Sequence, residues 1–179
     1  GWQQEAIVEG MGQVSPVKGR MEPVTVPDSD LAVIVDYSHK PEALKQALHS
    51  ARELCNRRLW VVFGAGGDRD PSKRPLMGDI ARQLADEIIV TSDNPRSEVP
   101  IAIAKEIVAG VASGETPYRV VLDRAEAIDT AITEAQPGDL VLIAGKGHET
   151  HQIIGEQTLP FDDAAVSRDA LMKRRESNT

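Results

Sequence analysis

The sequence predicts an α/β fold in which helices cover both faces of a doubly wound, mostly parallel sheet. Three observations support this fold class. Strand-like and helix-like segments alternate along the chain at short spacing, which is typical of βαβ units. The predicted strands are continuous apolar runs, as expected for strands that helices cover on both faces. Polar and glycine residues follow these runs, at the edge where open α/β sheets bind ligands.

The elements follow in order along the chain. Residues 1–18 are typical of a short helix and a connector that Pro and Gly interrupt. Strands are predicted at GRMEPVTV, LAVIVDYSH, RLWVVFG, EIIVTS, YRVVLD and DLVLIAG. Helices are predicted at PEALKQALHSARELC, SKRPLMGDIARQLAD, VPIAIAKEIVAGVA and RAEAIDTAITEA. The last segment predicts a small hairpin around Gly155 and a helix that starts near Asp162 or Asp163.

Two predictions concern the packing of particular side chains. The stripe of Ile101, Ile103, Ile107 and Val108 is expected to belong to the hydrophobic core. Cys55 ends an apolar helical pattern and is expected to be a small buried hydrophobe. As a single cysteine it excludes an intramolecular disulfide and a zinc site built from several cysteines.

Composition excludes several classes of function. The chain has 179 residues, of which 41% are hydrophobic, enough for one globular domain with a sizeable core. A net charge of −8 and an aromatic content of 3% argue against nucleic-acid binding, which needs basic surfaces and stacking side chains. No apolar run approaches the roughly 18 residues of a membrane-spanning helix, and no signal peptide is visible. A cytoplasmic protein without a membrane partner is therefore expected.

The residues that directly follow each apolar run are the most informative, because the carboxyl ends of parallel strands meet at one edge of a sheet. These segments are DYSHKP, GAGGDRD, SDNPR, DRAEA and GKGHET. Most of them are dense in polar or glycine residues. Their coincidence at one edge predicts a ligand site more strongly than any single motif does.

Two arginines follow neighbouring predicted strands. Arg69 projects from a glycine-rich turn, and Arg96 ends the tight turn SDNPR. A guanidinium group supplies planar, bidentate donors that match a carboxylate. The two side chains are therefore predicted to hold one carboxylate between them, although each arginine taken alone is equally well explained by a surface salt bridge.

Acidic residues at the same edge suit other parts of a ligand. Glu149 follows Gly145 and Gly147, which let the backbone approach a ligand closely, and its carboxylate suits an ammonium group. Asp36 ends a predicted strand, and two interpretations of its role are possible. It either accepts hydrogen bonds from the hydroxyls of a ribose or caps the helix that follows.

Several other kinds of site are not supported. GKGHE differs from a P-loop, because Gly147 follows Lys146 where a P-loop needs Ser or Thr. His148 has no Ser or Cys nucleophile near it in the sequence, so a catalytic triad is unsupported. The spacing of His39, His148 and His151 matches no set of metal ligands, so no metal site is predicted.

Five segments in this order resemble the C-terminal domain of the Mur ligase family: GRME, VDYSHKPEAL, VFGAGGDRDPSKRPLMG, TSDNPR and IAGKGHE. The resemblance covers about residues 15–172. It implies a Rossmann-like domain of a three-domain, ATP-dependent enzyme that forms an amide bond in cytoplasmic peptidoglycan synthesis. In such enzymes the first domain binds the UDP-sugar end of the substrate and the central domain carries the P-loop. The third domain presents the incoming amino acid.

The resemblance also implies the substrates. ATP phosphorylates the terminal carboxylate of UDP-N-acetylmuramoyl-dipeptide, and the amine of the amino acid attacks the acyl phosphate. Mg²⁺ neutralises the phosphate charge, and both ATP and Mg²⁺ are bound mainly by the central domain. DNPR is the motif that the family associates with meso-diaminopimelate, as opposed to L-lysine, so meso-diaminopimelate is the expected amino acid.

The same resemblance implies the site residues. The amino-acid site is expected to contain Arg69, Asp93, Asn94, Pro95, Arg96, Gly145 and Glu149, and the nucleotide edge Arg20, Asp36, His39 and Lys40. Arg96 and Asn94 would hold the distal carboxylate that lysine lacks. Asp93 and Glu149 would meet the ammonium groups. No residue is assigned a catalytic role, and no metal ligand is assigned.

The resemblance suggests a domain boundary inside the chain. Residues 1–18 are expected to be the tail of the central ATP-binding domain with its linker, and residues 19–179 the amino-acid-binding domain. A chain of this extent is not expected to catalyse the reaction alone. Two alternatives remain open at this point. One is another ligase domain of the superfamily, either L-lysine-adding or similar to folylpolyglutamate synthase, and the other is a free-standing nucleotide-binding module.

Overall fold

A computed structural model describes residues 17–177, which form a six-stranded sheet and a separate two-stranded sheet. The strands of the large sheet are β1 (Glu22–Val24), β2 (Ala32–Asp36), β3 (Leu59–Phe63), β4 (Glu87–Val90), β5 (Tyr118–Val120) and β6 (Leu140–Ala144). Their order across the sheet is β1-β2-β6-β3-β4-β5. β1 pairs antiparallel with β2, and all other pairs are parallel. The predicted mostly parallel sheet is confirmed.

Helices cover both faces of this sheet. In the described residues they are α1 (Pro41–Leu54), α2 (Lys73–Leu84), α3 (Pro100–Val111), α4 (Arg124–Glu134) and α5 (Asp163–Ser177). α1, α2 and α3 pack on one face, and α4 and α5 pack on the other. The chain moves in one direction from β2 to β5 and then returns to β6, which lies between β2 and β3. Because parallel crossovers are right-handed, this reversal places α4 on the second face.

Two hydrophobic cores result from the alternation of side chains along each strand. In β3, Leu59, Val61 and Phe63 belong to the core beneath α1, α2 and α3, whereas Trp60 and Val62 belong to the core beneath α4 and α5. Successive side chains of a strand point to opposite faces, so a strand covered on both faces is apolar at every position. This is the physical reason for the continuous apolar runs in the sequence.

Three packing predictions need correction. Ile101 is 39% exposed, whereas Ile103 and Ile107 are buried. The buried face of α3 repeats at helical spacing through Ile103, Ile107 and Val111, and Ile101 lies off this face. All three residues of β5 are exposed, since β5 is the edge strand of the sheet. Cys55 is only half-buried and packs against the rim of the first core.

The predicted hairpin around Gly155 is present. β7 (His151–Ile154) pairs antiparallel with β8 (Gln157–Pro160) in the two-stranded sheet. Gly155 has a φ of +58°, a conformation that glycine adopts without a steric penalty. Ile154 also forms a parallel bridge with Arg96, so the hairpin contacts the turn that follows β4.

Asp139 is a buried carboxylate directly before β6. It accepts hydrogen bonds from the N–H groups of Arg58 (3.2 Å) and Gln136 (2.9 Å), from Nε1 of Trp60 (3.1 Å) and from Nη2 of Arg58 (3.0 Å). Burial raises the pKa of this carboxyl group, but the hydrogen bonds outweigh burial and hold the pKa below its ordinary value. Asp139 therefore stabilises the fold in its ionised form.

Replacing Asp139 with asparagine is expected to lower the free energy of unfolding by about 2 kcal/mol. The amide has no charge to strengthen its hydrogen bonds, and its NH₂ group would face the N–H donors that the carboxylate accepts from. A group with a depressed folded pKa stabilises the fold above its unfolded pKa of about 4, and this stabilisation is lost as the pH falls through the folded pKa. The difference between wild type and Asp139→Asn in urea unfolding should therefore shrink on acidification. Asp129, whose side chain is 49% exposed, is the control when changed to asparagine. A difference that does not vary with pH would contradict this explanation.

No helix among residues 17–177 is long and apolar enough to cross a membrane. The helix and connector predicted within residues 1–18 fall almost entirely on residues 1–16, which lie outside the described residues. The domain boundary after residue 18 therefore stays a prediction.

Candidate functional site

A cavity of about 650 Å³ opens at the carboxyl ends of the parallel strands. The loops that follow β2, β3, β4 and β6 line it, and these four strands are neighbours in the sheet. The cavity brings together most of the residues predicted from the sequence: His39, Lys40, Arg69, Asp93, Asn94, Arg96, Gly145 and Glu149. Residues that are distant in the sequence thus meet at the edge where open α/β sheets bind ligands.

Asp36 and Arg20 lie beside this cavity and are not among its lining residues. The buried carboxylate of Asp36 accepts hydrogen bonds from the N–H of Met21 (2.8 Å) and from the hydroxyl of Ser38. Asp36 does not cap α1, because the N-cap position of this helix is occupied by Lys40. The guanidinium carbon of Arg20 lies 4.8 Å from the ring centroid of Tyr37, which is a cation–π contact.

The hairpin holds the turn after β4. Arg96 has a φ of +53°, which is uncommon for a residue other than glycine. Its N–H donates to the carbonyl of Ile153 (3.1 Å), and its carbonyl accepts from the N–H of Gly155 (2.7 Å). Pro95 is buried behind the turn, and its carbonyl oxygen lies 1.9 Å from the place that a Cβ on Gly67 would occupy. These contacts restrict the backbone of the turn to one conformation.

Arg69 and Arg96 converge on Gly66. A Cβ on Gly66 would lie 2.9 Å from Nη1 of Arg96 and 3.7 Å from Cγ of Arg69. Nη1 of Arg96 donates to the carbonyl of Gly67 (2.8 Å), which fixes one end of the guanidinium group. A guanidinium group carries five N–H donors, so donors remain for a ligand. Two such groups on one wall suit a carboxylate.

Acidic and amide groups form a second part of the wall. Nδ2 of Asn94 donates to Oε2 of Glu149 (2.9 Å). Gly145 has a φ of +123°, and a Cβ there would lie 2.7 Å from Oδ2 of Asp93. Glycine is therefore needed both for the backbone conformation and for the close approach of Asp93. The carboxylates of Asp93 and Glu149 suit an ammonium group.

The sequence reasoning missed the role of Lys146, which it compared only with a P-loop lysine. This side chain is fully buried, and its Nζ donates to Oδ1 of Asn94 (2.8 Å) and to the carbonyl of His151 (2.7 Å). Burial lowers the pKa of its ammonium group, against the opposing effect of Asp93. A lysine one glycine after the fully apolar strand β6 was the available signal, because a buried ammonium group needs acceptors.

Lys73 and Tyr37 also line the cavity, although neither was predicted to do so. Nζ of Lys73 donates to the carbonyl of His39 (2.8 Å). Burial lowers the pKa of Lys73, and the nearby carboxylate of Asp93 opposes this effect. The ring centroid of Tyr37 lies 4.6 Å from that of His39 and 4.8 Å from that of His148.

The cavity therefore presents charges of both signs. Arg69, Arg96 and Lys73 supply cations, and Asp93 and Glu149 supply carboxylates. Its volume falls within the range of about 300–1,000 Å³ that is typical of small-molecule sites. A small molecule with both carboxylate and ammonium groups, such as an amino acid, matches this arrangement. Within residues 17–177, no group of three or more His, Cys, Asp or Glu side chains is arranged to hold a metal ion.

Comparison with known proteins agrees with this chemistry. Residues 19–147 match the family described as Mur ligase, glutamate ligase domain. A UDP-N-acetylmuramoyl-L-alanyl-D-glutamate–2,6-diaminopimelate ligase of Geobacillus thermodenitrificans is 50% identical over 175 residues, which are 98% of this chain and 36% of that protein. The ligase of the same name from Synechocystis is 51% identical over 170 residues, or 94% of this chain and 34% of that protein. The chain thus spans about a third of the length of these relatives.

Solved structures show the same fold. A structure of a UDP-N-acetylmuramoyl-L-alanyl-D-glutamate–2,6-diaminopimelate ligase superposes with a TM-score of 0.81 at 39% identity, covering 97% of this chain and 35% of that chain. A bifunctional folylpolyglutamate synthase/dihydrofolate synthase from Yersinia pestis superposes with a TM-score of 0.61 at 22% identity, covering 83% of this chain and 32% of that chain. The second likeness shows a shared fold alone.

Proposed function

The chain belongs to the Mur ligase family, and we propose that it is the amino-acid-binding domain of an ATP-dependent ligase that uses meso-diaminopimelate. One observation carries this proposal. Arg69 and Arg96 converge on one cavity whose wall also contains Asp93 and Glu149. Relatives that match nearly the whole chain at about half identity bear the name of 2,6-diaminopimelate ligases.

The charges of the cavity fit meso-diaminopimelate better than L-lysine. Each end of diaminopimelate carries a carboxylate and an ammonium group, whereas lysine lacks the distal carboxylate. We assign the distal carboxylate to Arg96 and Asn94, with Arg69 beside them, and the distal ammonium group to Glu149, which is bonded to Asn94. Lysine would leave the guanidinium group desolvated and unpaired, so it should bind poorly.

The remaining residues of the amino-acid site shape the wall. Gly145 leaves room for Asp93, whose carboxylate we also assign to an ammonium group of the ligand. Pro95 is buried beneath Arg96 and stiffens the turn that presents the guanidinium group. These residues bind and orient the amino acid, and no proton transfer is assigned to any of them.

The proposed reaction joins this amino acid to UDP-N-acetylmuramoyl-L-alanyl-D-glutamate. ATP transfers its γ-phosphoryl group to the terminal carboxylate, the neutral amine of diaminopimelate attacks the acyl phosphate, and an amide, ADP and phosphate result. The contribution of this chain is to hold the amine in position, which reduces the entropic cost of the attack. We propose that the chain does not catalyse the reaction alone and that the enzyme acts in the cytoplasm.

The nucleotide edge is proposed at the rim of the cavity beside β2. His39 and Lys40 line this rim, and Arg20 stacks near it on Tyr37. Cationic side chains at this edge fit the phosphates of ATP. Asp36 is already bonded within the protein, so we assign it to holding the backbone next to Arg20.

Mg²⁺ is expected for this chemistry, because it offsets the charge of transferring phosphoryl groups. Among residues 17–177, no three or more His, Cys, Asp or Glu side chains form a group that could hold a metal ion. Its ligands are therefore proposed outside this part of the chain, as is the principal ATP site. The assignment of residues 1–18 to the preceding domain and its linker belongs to the same proposal.

Calorimetric titration of the chain with meso-diaminopimelate, L-lysine and ATP tests the amino-acid site. Binding of meso-diaminopimelate without comparable binding of L-lysine is the expected result. Equal binding of L-lysine would favour a lysine-adding ligase. Tight binding of ATP without diaminopimelate would favour a nucleotide-binding module. Binding of neither amino acid would refute the idea that this chain carries the specificity by itself.

A chimera tests the whole reaction. This chain would replace the 175 matching residues of the G. thermodenitrificans relative. Phosphate release that requires ATP, UDP-N-acetylmuramoyl-L-alanyl-D-glutamate and meso-diaminopimelate together is expected. Release with L-lysine in place of diaminopimelate at a similar kcat/KM would contradict the proposed substrate.

A further inference from the structure

The proposed function leaves the ammonium group of Lys146 without a role. This side chain is fully buried behind the cavity wall and is not among the lining residues. Its Nζ lies 2.8 Å from Oδ1 of Asn94, 2.7 Å from the carbonyl oxygen of His151, 3.5 Å from Oε2 of Glu149 and 3.9 Å from Oδ1 of Asp93. The ammonium group therefore contacts three of the side chains that are proposed to bind the amino acid.

Lys146 determines which way the amide of Asn94 faces. An ammonium group donates hydrogen bonds and cannot accept them, so the neighbouring atom of Asn94 has to be its oxygen. The N–H of Ile153 donates to the same oxygen (3.0 Å). Nδ2 of Asn94 is consequently directed at Glu149, to which it donates at 2.9 Å. One hydrogen of Nδ2 is used in this bond, and the second is left for a ligand carboxylate.

Lys146 also acts on the two carboxylates. Asp93 and Glu149 both lie near its ammonium group, which offsets their mutual repulsion. Oε2 of Glu149 accepts from Asn94 and from Lys146, so two donors fix the carboxylate from the protein side. With one oxygen held in this way, the carboxylate keeps a constant orientation toward the cavity.

Stability alone is a weak reason for this arrangement. A buried ion pair costs desolvation energy, and well-packed apolar residues often stabilise a fold as much or more. A role in orienting polar groups explains why an ammonium group occupies this place. The segment from Asp93 to Arg96 is also tied to the hairpin, since Nε2 of Gln152 donates to the carbonyl of Asp93 (2.8 Å). Lys146 and the hairpin thus hold the same turn from two sides.

We propose that Lys146 is a positioning residue that orients the Asn94 amide and the Glu149 carboxylate for recognition of the distal ammonium group of the amino acid. This inference rests on the proposed function, because it presumes that the cavity binds diaminopimelate. It separates two kinds of recognition within one site. Arg96 recognises the distal carboxylate directly, whereas Lys146 acts on the distal ammonium group through Asn94 and Glu149.

Three ligands separate these contributions in calorimetric titrations of the 179-residue chain. meso-Diaminopimelate has both distal groups, L-2-aminopimelate lacks the distal ammonium group, and L-lysine lacks the distal carboxylate. In Lys146→Met, the preference for diaminopimelate over 2-aminopimelate should fall by about tenfold, as expected for the loss of one well-placed charge-assisted contact. The preference for diaminopimelate over lysine should fall by a smaller factor, about threefold or less, because Arg96 still binds the distal carboxylate and only the contact from Asn94 is loosened.

Arg174→Met is the matched control. Arg174 is a largely buried cation that donates to Asp30 and to the carbonyls of Ile132, Thr133 and Ala135, and it is not among the cavity-lining residues. This variant should lose stability yet keep both ligand preferences. Equal changes in Arg174→Met and Lys146→Met would overturn the inference, because they would reflect general loosening of the fold.

The remaining outcomes are also decisive. If the wild-type chain does not prefer diaminopimelate, the idea that this chain carries the amino-acid specificity fails, and the inference fails with it. If the wild type prefers diaminopimelate and folded Lys146→Met keeps that preference over 2-aminopimelate, only the inference fails. Lys146→Gln keeps two N–H donors and replaces the methionine variant if the latter does not fold. If neither variant folds, the side chain is a stability residue and the positioning role is rejected.

Discussion

Replacing Arg96 with alanine is expected to weaken the binding of meso-diaminopimelate by about 2–4 kcal/mol, because a charge-assisted pair in a partly buried site is lost. Binding of L-lysine should not weaken and should tighten somewhat, because the variant no longer leaves a guanidinium group unpaired when lysine is bound. Calorimetric titration of wild type and variant with both amino acids measures the two effects. A loss of less than about 0.5 kcal/mol for diaminopimelate would remove Arg96 from the proposed site.

Two further variants separate recognition from folding. Arg96 has a φ of +53°, and glycine adopts this conformation at lower steric cost. Arg96→Gly should therefore lose the same binding free energy as Arg96→Ala. It should avoid the steric cost that alanine, like arginine, has at this positive φ. Arg119 is an exposed arginine paired with Glu134 and is not among the cavity-lining residues. Arg119→Ala should bind diaminopimelate like the wild type.

Replacing Arg124 with methionine is expected to lower the free energy of unfolding by about 3–5 kcal/mol, because it leaves the buried carboxylate of Asp163 without its cation. Both side chains are fully buried, and Nε and Nη2 of Arg124 each donate to Asp163 at 2.8 Å. Burial opposes the charge on Arg124, but Asp163 outweighs burial and raises the pKa of the guanidinium group. Guanidinium chloride unfolding measures the loss.

A double variant distinguishes the lost pair from lost packing. Arg124→Met combined with Asp163→Leu removes both charges and should recover most of the stability, because no unpaired charge stays buried. Changing the exposed Arg119 to methionine should cost about 1 kcal/mol or less. A double variant as unstable as Arg124→Met alone would show that packing, and not the unpaired carboxylate, explains the loss.

The Arg124–Asp163 pair also bears on the site. Arg124 donates to the carbonyl of Ser92 (3.3 Å) after β4 and to the carbonyl of Ala144 (3.1 Å) at the end of β6. Its guanidinium group therefore links the two strand ends that carry the DNPR turn and the GKGHE loop. Weaker binding of diaminopimelate in folded Arg124→Met would follow from a change in the spacing of these loops.

The sequence alone was enough to predict the architecture, the edge of the sheet that carries the cavity, and part of the cavity lining. Continuous apolar runs such as LVLIA and LWVVF belong to strands that helices cover on both faces, and helical spacing identifies the buried stripe of α1. Polar residues after these strands had to meet at one edge of the sheet, which correctly brought Arg69, Arg96 and Glu149 together. The periodicity of apolar residues and the polar residues that follow each strand are enough to predict these features, because both are properties of short segments of the sequence.

Only the tertiary structure decided how these groups are held. Asp163 lies 39 positions from Arg124, and Lys146 lies 52 positions from Asn94, so no local pattern indicates either contact. The exposure of Ile101 and the burial of Asp36 beside the cavity were likewise settled by packing. Burial and hydrogen-bond partners depend on which distant segments meet. For that reason the sequence could identify the groups that face a ligand, but not the buried charges that orient them.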